Sequence, residues 1–173
     1  MRALLLPAEN RSRVGRRLRR AADVALTLLM ALPRPSAWRL GREMWRMSQH
    51  LDARMTGAPL PLFLAGLTPT AIDLTLPSAR VRRLADATAV LHIASPLGIC
   101  LRRSLLRYHF LRRCGLPVTI VFGARRRGEA LGGHAWLTLD QHPYFEAAED
   151  YQPFVVMLRF PPEDVSAPAS GLS

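Results

Sequence analysis

The sequence contains no lysine, and 24 arginines against 13 acidic residues give it a formal net charge of +11. A phosphate-binding loop of the Gly-x-x-x-x-Gly-Lys type needs a lysine, so this route to nucleotide binding is excluded. The exclusive use of arginine is what GC-rich coding produces, and it does not by itself indicate a function. Any ATP-dependent step in which the protein takes part would therefore belong to a partner.

Cysteine is also scarce, since the chain has only Cys100 and Cys114. Both lie in one predicted helix, fourteen residues apart, and a rise of about 1.5 Å per residue separates them by about 21 Å, too far for a disulfide. The five histidines are scattered, and no Cys-x-x-Cys or His-Glu-x-x-His spacing occurs. We therefore expect no disulfide, no metal and no cofactor.

No apolar run is long enough to span a bilayer: the longest, Val24–Leu32, is far shorter than the roughly 20 residues required. The apolar residues 3–7 precede the N-terminal arginines instead of following them, which is not the pattern of a signal peptide. We therefore expect a cytoplasmic protein. Arginines followed by an apolar helical pattern are also typical of a helix lying on a membrane, so peripheral membrane contact is an alternative.

Six arginines fall between Arg11 and Arg20, a local charge that favours a phosphate or carboxylate partner. Anionic lipid, nucleic acid and an acidic peptide all meet this description. Aromatic residues make up only 7% of the chain and do not interleave with the cluster. Since no zinc-finger or RNA-binding signature occurs either, we do not expect nucleic acid as the partner.

Apolar periodicity and helix-breaking residues predict four helices, over residues 13–32, 37–55, 78–92 and 99–114. Residues 57–77 contain four prolines and are predicted to be a connection or a partner-facing loop. Alternating patterns predict strands over 118–122, 134–139 and 154–160, with a turn over 125–128.

This order of elements predicts an α+β protein. We assign residues 1–77 to an arginine-rich helical segment with a proline-rich connection, residues 78–165 to the main domain, and residues 166–173 to a flexible tail. The helical segment is predicted to offer a surface to partner proteins.

Cys100 and His134 are the candidate catalytic pair. A thiol attacks a carbonyl as the thiolate, which a helix N-terminus and a neighbouring histidine both favour. Cys100 lies at the start of the predicted helix, and His134 begins a strand that follows one helix and one strand later. Local pattern alone is equally compatible with a small buried cysteine and a structural histidine.

Three segments in this order carry a resemblance to a known family: Cys100–Leu105 (CLRRSL), Arg113–Val118 (RCGLPV) and Gly133–Trp136 (GHAW). They resemble the transglutaminase-like cysteine proteases of lasso-peptide biosynthesis over roughly the second half of the chain. The resemblance implies a papain-like fold, with the catalytic cysteine at the start of a helix packed on an antiparallel sheet. It also implies an enzyme that removes the leader from a ribosomally made precursor peptide.

The same resemblance implies the partners. Members of this family act on the precursor's leader peptide and deliver the product to an ATP-dependent lasso cyclase. Some carry a fused leader-recognition domain, whereas others depend on a separate small recognition protein. The front half of this chain lacks the early strands of such a domain, so the split form is predicted.

The third catalytic residue is predicted to be Glu146. Asp140 lies on the same strand face as His134 but about 20 Å away at roughly 3.4 Å per residue. In a hairpin with a three-residue loop, Glu146 reaches His134 diagonally, whereas longer loops would place Glu149 or Asp150 opposite it. The resemblance implies an acid twelve residues after the histidine, usually aspartate, so all four acids stay open.

The predicted reaction is attack by Cys100 on the scissile carbonyl, with backbone N–H groups at the helix start holding the oxyanion. Protonated His134 then delivers its proton to the leaving amine. Two alternatives remain, an acyltransferase of the same fold and a non-catalytic basic adaptor that binds membrane or nucleic acid.

Overall fold

The structure, a computed structural model, describes residues 35–75, 77–92 and 97–162. The helix predicted over residues 13–32 and the tail predicted over 166–173 lie outside these ranges. None of the helices within them is long and apolar enough to cross a membrane.

In the part of the chain that the structure describes, four helices precede the sheet: α1 (Pro35–Thr56), α2 (Leu60–Leu67), α3 (Ser78–Leu91) and α4 (Gly98–Arg113). The helices predicted over 37–55, 78–92 and 99–114 correspond to α1, α3 and α4 and are confirmed. Val81, Leu84 and Ala85 form the buried stripe of α3, as their spacing predicts. At the far end of α4, Gly115 has a φ of +83°, which suits a glycine after a helix C-terminus.

Helix α2 corrects the prediction of a connection over residues 57–77. Pro59 is its N-cap, and proline also occupies its first turn, where the missing N–H has no intrahelical acceptor to lose. Phe63, Leu64 and Leu67 recur at helical spacing and are buried. Prolines mark the start of this helix, but the number of prolines in the segment led to the prediction of a connection.

The sheet is antiparallel, with strand order β3-β2-β1-β4. Its strands are β1 (Thr119–Arg127), β2 (Ala130–Leu139), β3 (His142–Pro143) and β4 (Val155–Phe160), and a short helix α5 (Ala148–Tyr151) lies between β3 and β4. All three predicted strands are present and the α+β prediction is confirmed.

The predicted turn over residues 125–128 is too early in the chain. Arg125 to Arg127 continue β1 and pair with β2, and the turn follows at Gly128, whose φ is +61°. The polarity of the three arginines suggested a turn. Because Arg126, Gly128 and Glu129 are exposed at this end of the hairpin, polar residues do not oppose strand pairing there.

The hairpin from β2 to β3 has a two-residue turn instead of the three-residue loop assumed for Glu146. Asp140 and Gln141 have φ values of 49° and 65°, as a type I′ turn requires, and Leu139 pairs with His142. Strand β3 then ends at Pro143, which has no N–H to continue the ladder. Acids after this point therefore do not face His134 across a hairpin.

One hydrophobic core joins the helices to the sheet. Leu51 of α1, Leu64 of α2, Leu105 of α4 and Leu137 of β2 are all fully buried members of it. Residues on both sides of the predicted boundary at 77 contribute, so the core is continuous there, while the division into domains stays a prediction. Helix α4 is thus enclosed between α1 and α3 on one side and the sheet on the other.

Candidate active site

Cys100 is the third residue of α4 and lies in its first turn, where the sequence predicts it. The first N–H groups of a helix have no carbonyl acceptor within it and give that end a partial positive charge. The N-cap residue is Leu97, whose side chain offers no acceptor, and the first turn holds no acid. The half-buried Cys100 therefore lies where a negative sulfur or oxygen would be stabilised.

His134 lies in β2 directly opposite Gly123 of β1. Its ring is 5.2 Å from that of Phe154 and stacks on Trp136 at 5.8 Å, measured between centroids. A Cβ on Gly123 would come within 2.8 Å of Trp136 and 2.9 Å of Phe154. The glycine thus permits two aromatic rings to close over the sheet beside the histidine.

A buried hydrogen bond joins α4 to this part of β2. The hydroxyl of Ser104 donates to the backbone carbonyl of Ala135 over 2.8 Å. Ser104 lies one turn after Cys100 on the same helix face, and Ala135 follows His134 in the strand. The bond therefore brings the face of α4 that carries Cys100 against the strand segment that carries His134.

The Nε2 atom of His134 is buried and has no hydrogen-bond partner within the described ranges. A buried polar atom without a partner is costly, so such an atom in a cleft is often reserved for a substrate or a transient partner. Catalytic hydrogen bonds commonly tighten only when substrate is bound. This nitrogen is available to take a proton from a thiol or to give one to a leaving group.

Burial lowers the pKa of the His134 imidazole below its ordinary value of 6.5, and the positive charge of Arg103 acts in the same direction. The carboxylate of Asp150 raises this pKa, and Arg125 lowers it. The imidazole is therefore neutral at neutral pH and able to act as a base. Arg103, the source of this effect, lies three residues after Cys100 on α4.

Glu146 forms ion pairs with two arginines of α4. Its side chain is 1% exposed, and both of its oxygens accept bonds of 2.7 Å from Nη2 of Arg103. Nη1 of Arg107 donates a third bond of 3.1 Å. Burial raises the pKa of the Glu146 carboxyl, while the two arginines oppose that rise. Its role as the acid that orients His134 stays a prediction.

Among the other candidate acids, the charge of Asp150 acts on His134. Asp150 lies in α5, a four-residue helix that the sequence analysis did not predict. Glu149 is exposed on the same helix, and Asp140 is exposed in the β2–β3 turn. The sequence analysis weighed Asp150 only as a residue opposite His134 in a hairpin, whereas α5 is the element that carries it.

Arg102 is a structural residue that the sequence analysis missed. Its side chain is 1% exposed and donates to the backbone carbonyl of Ser48, to the Ser48 hydroxyl over 2.7 Å, and to Asp52 over 2.8 Å. Ser48 and Asp52 lie one turn apart on α1, and this spacing is the signal that was available in the sequence. Arg102, two residues after Cys100, thus connects α4 to α1 through these bonds.

Cys114 lies just beyond the other end of α4, and both cysteines are free, so the prediction that they do not pair is confirmed. Its S–H donates to the carbonyl of Phe110 over 3.1 Å, and burial raises the pKa of its thiol. Cys114 is thus held as a thiol. In the described ranges no three His, Cys, Asp or Glu side chains group as metal ligands would.

A family model described as the transglutaminase-like superfamily matches residues 69–159, which are 91 of the 173 residues. Comparisons with curated proteins and with solved structures returned no match. The matched region contains Cys100 and His134 together with α3, α4 and nearly the whole sheet, whereas α1 and α2 precede it. The fold that the sequence predicts is thereby confirmed. The chain belongs to the transglutaminase-like superfamily, which includes cysteine peptidases and acyltransferases.

Proposed function

We propose that this protein is a cysteine peptidase that removes the leader from a lasso-peptide precursor, with Cys100 as nucleophile and His134 as base. The observation that carries the proposal is the Ser104–Ala135 hydrogen bond, which sets the Cys100 face of α4 against the His134 segment. The unpartnered Nε2 atom supports it. Membership of the superfamily supports cysteine chemistry, and the ordered motifs of the sequence support the leader peptidase.

In the proposed reaction, the Cys100 thiol gives its proton to neutral His134 and the sulfur attacks the scissile carbonyl carbon. The unpaired N–H groups of the first turn of α4 stabilise the resulting oxyanion. The imidazolium returns the proton to the departing amine, leaving a thioester on Cys100. His134 then activates water, which hydrolyses the thioester and releases the leader.

The acid that supports His134 is proposed to be Asp150, ahead of Glu146. The charge of Asp150 favours the protonated imidazole, as an orienting acid must. Both oxygens of Glu146 instead accept hydrogen bonds from Arg103. Asp150 matches the aspartate usual in the family that the motifs resemble in residue type, whereas Glu146 matches its spacing of twelve residues from the histidine.

The proposed partners are the precursor's leader peptide, a separate leader-recognition protein and an ATP-dependent lasso cyclase. Trp38 and Trp45 are 53% and 39% exposed on α1, and their spacing of seven residues puts both on one side of the helix. This side is a suitable contact for the recognition protein or the cyclase. The proposed location is the cytoplasm, with peripheral membrane contact as the alternative and no nucleic-acid partner.

The test uses full-length protein with its recognition protein and precursor peptide, and follows leader release by mass spectrometry. We expect Cys100→Ala to reduce release to the level without enzyme. Cys114→Ala is the matched control and should retain the wild-type rate, because the Cys114 thiol lies at the opposite end of α4. Normal release by Cys100→Ala would exclude the proposed peptidase.

Acyl transfer is the second candidate, because the superfamily includes acyltransferases. The two reactions share a thioester on Cys100 and differ in whether water or an amine attacks it. Adding a primary amine such as putrescine to the same assay distinguishes them. A peptidase yields the free carboxylate, whereas an acyltransferase yields the amide, whose mass exceeds that of the free acid by the mass of the amine less one water.

The adaptor alternative is tested with a thiol-reactive probe at neutral pH. Faster labelling of Cys100 than of Cys114 supports an activated thiolate. Equal, slow labelling of both would favour the adaptor. Salt-dependent binding of duplex DNA would restore the nucleic-acid alternative.

A further inference from the structure

A buried ionic network connects α3, α4 and the loop after β3. We call it the Glu146 network, and its members are Arg82, Asp86, Arg103, Arg107 and Glu146. Arg107 donates to the two Asp86 oxygens over 2.6 and 2.8 Å, and Arg82 lies 3.5 Å from Asp86. The side chains of Glu146 and Arg107 are 1% and 4% exposed, so their charges are largely removed from water.

The loop that carries Glu146 is fixed at the two residues just before it. The N–H of Tyr144 donates to the carbonyl of Leu137 over 2.8 Å, which ties the loop to β2. Phe145 has a φ of +54°, a costly conformation for an aromatic residue, and the Arg82 guanidinium lies 4.0 Å from its ring centre. The neighbours of Glu146 therefore direct its carboxylate inward, toward α4.

Arg103 is the member of the network nearest to the proposed reaction. It lies three residues after Cys100, and the next residue, Ser104, bonds to the carbonyl of Ala135 beside His134. Nη2 of Arg103 is held by both oxygens of Glu146. An arginine without such a partner gains side-chain entropy and hydration by turning its guanidinium toward solvent.

We propose that Glu146 is a positioning residue whose carboxylate, bonded to Arg103, holds the guanidinium beside His134 at the N-terminal end of α4. This inference rests on the proposed function, because it concerns the same cysteine and histidine. A fixed positive charge there would stabilise the negative sulfur and oxyanion of the reaction without contact with the peptide. Glu146 then acts through Arg103 and does not touch the imidazole.

Among the described residues, the charges that act on His134 come from three elements: Arg103 on α4, Arg125 on β1 and Asp150 on α5. The positive end of α4 also faces this region. Arg103 is the larger of the two arginine effects on the histidine and lowers its pKa. Removing Arg103 from this position would therefore raise the pKa of His134.

The positioning role and the orienting-acid role of Glu146 therefore predict opposite changes in the pKa of His134. If Glu146 positions Arg103, then Glu146→Gln releases the guanidinium and the pKa of His134 rises. If Glu146 instead orients His134, the same variant removes a negative charge from the imidazole and the pKa falls. The pKa of His134 would also fall if the guanidinium of Arg103 stayed in place in Glu146→Gln, because the carboxylate would no longer balance its positive charge.

The test compares Glu146→Gln with Asp86→Asn in the full-length protein. Each variant removes one carboxylate from the same network, and Asp86 binds Arg107 and Arg82 instead of Arg103. The pKa of His134 is measured by NMR titration, with the resonance assigned from the spectrum of His134→Gln. Leader release is measured in parallel, and thermal unfolding reports the stability of each variant.

We expect Glu146→Gln to raise the pKa of His134 and to lower kcat/KM on the order of 10-fold to 100-fold. Asp86→Asn should leave the pKa of His134 unchanged, whatever stability it loses. Arg103→Gln should reproduce the rise, and the double variant Arg103→Gln with Glu146→Gln should be no less active than Arg103→Gln alone. Should Glu146→Gln fail to fold, Arg103→Gln carries the test, since Glu146 keeps its bond to Arg107 in that variant.

The proposal is overturned if Glu146→Gln lowers the pKa of His134, or if it behaves like Asp86→Asn in both titration and activity. When only Arg103→Gln folds, an unchanged pKa of His134 overturns it. The titration needs no substrate, so it is independent of the proposed function. Leader release by Cys100→Ala would reject the peptidase, whereas normal activity of Glu146→Gln would reject only the positioning role.

Discussion

Two adjacent arginines of α4 bind different parts of the molecule. Arg102 is 1% exposed and binds Ser48 and Asp52 of α1. Arg103 is 17% exposed, binds Glu146 and acts on the charge of His134. We call the side of α4 on which Arg102 binds α1 the fastening side, and the side on which Arg103 binds Glu146, near the proposed reaction, the chemical side. Chain neighbours of the same residue type therefore have different roles, which depend on the direction that each side chain takes from the helix.

The fastening side depends on a segment outside the matched region, because Ser48 and Asp52 precede residue 69. The chemical side lies wholly within the match. Part of the support of α4 thus comes from α1, which precedes the matched region. The predictions below separate the two sides by asking whether a change affects activity or stability.

The largest effect is expected for His134→Ala on the chemical side. Loss of the proposed base should lower kcat/KM by about 10³-fold or more, or roughly 4 kcal/mol of transition-state stabilisation. Leader release measures this effect, and thermal unfolding should change little. His142→Ala in the exposed end of β3 is the control and should keep full activity.

The next effect is expected for Arg102→Met on the fastening side. Asp52 and the Ser48 carbonyl would lose their buried donor, at a cost of about 2–4 kcal/mol in the free energy of unfolding. Urea unfolding measures it, with Arg46→Met on the exposed face of α1 as the control. An Arg102→Met protein as stable as wild type would remove the distinction between the two sides.

Gly123→Ala tests the aromatic closure beside His134. The new Cβ would lie 2.8–2.9 Å from Trp136 and Phe154, so the rings or the strand must move, at a cost of about 1–3 kcal/mol of stability. Gly41→Ala is the matched control, because nothing lies within 4 Å of the new Cβ on α1. It should stabilise the helix by about 0.5–1 kcal/mol. Thermal unfolding of both variants checks the opposite signs.

Two buried serines allow a finer comparison, since Ser48 binds Arg102 and Ser104 binds the carbonyl of Ala135. Each Ser→Ala variant should lose about 1 kcal/mol of stability, as expected for one buried hydrogen bond. Leader release should fall further in Ser104→Ala than in Ser48→Ala, because Ser104 joins the Cys100 and His134 segments. Equal losses of activity would contradict the separation of the two sides.

The smallest effect concerns pH. Burial lowers the pKa of His109 as well as that of His134, so the unfolded chain binds more protons than the folded chain just below pH 6.5. The contribution of these two histidines to the free energy of unfolding is therefore complete above pH 6.5. It is lost as the pH falls toward their pKa values in the folded state. Urea unfolding at pH 7.5 and 5.5 should show the loss, and His109→Gln should reduce it. If His109→Gln lost as much stability between pH 7.5 and pH 5.5 as the wild type, a lowered pKa of His109 would be excluded.

Local patterns in the sequence predicted much of the fold. The apolar spacing of α1, α3 and α4 is regular because each helix buries one stripe in the core. Helix α2 was missed because proline is permitted at a helix start as well as in loops. The β2–β3 hairpin was misjudged by one residue, and that residue reverses which side chains face the histidine.

The candidate site was predictable to a different degree for each residue. Cys100 follows from the helix that begins before it, and His134 from the alternating strand that contains it. The proposed acid was not predictable in this way, because Asp150, whose charge raises the pKa of His134, lies in α5, a helix too short to leave a periodic pattern. Glu146 was selected by hairpin geometry, and the structure instead gives it the two arginines of α4.

What the sequence alone determined is the α+β plan, the cysteine at a helix start and the histidine in a strand, because these depend on residues close together in the chain. Tertiary structure alone decided which charges surround them. Arg103 and Glu146 are 43 residues apart, and Arg102 and Ser48 are 54 apart, so each pair meets only when the helices pack on the sheet. Packing, and not local pattern, therefore assigns one arginine to the fold and its neighbour to the proposed chemistry.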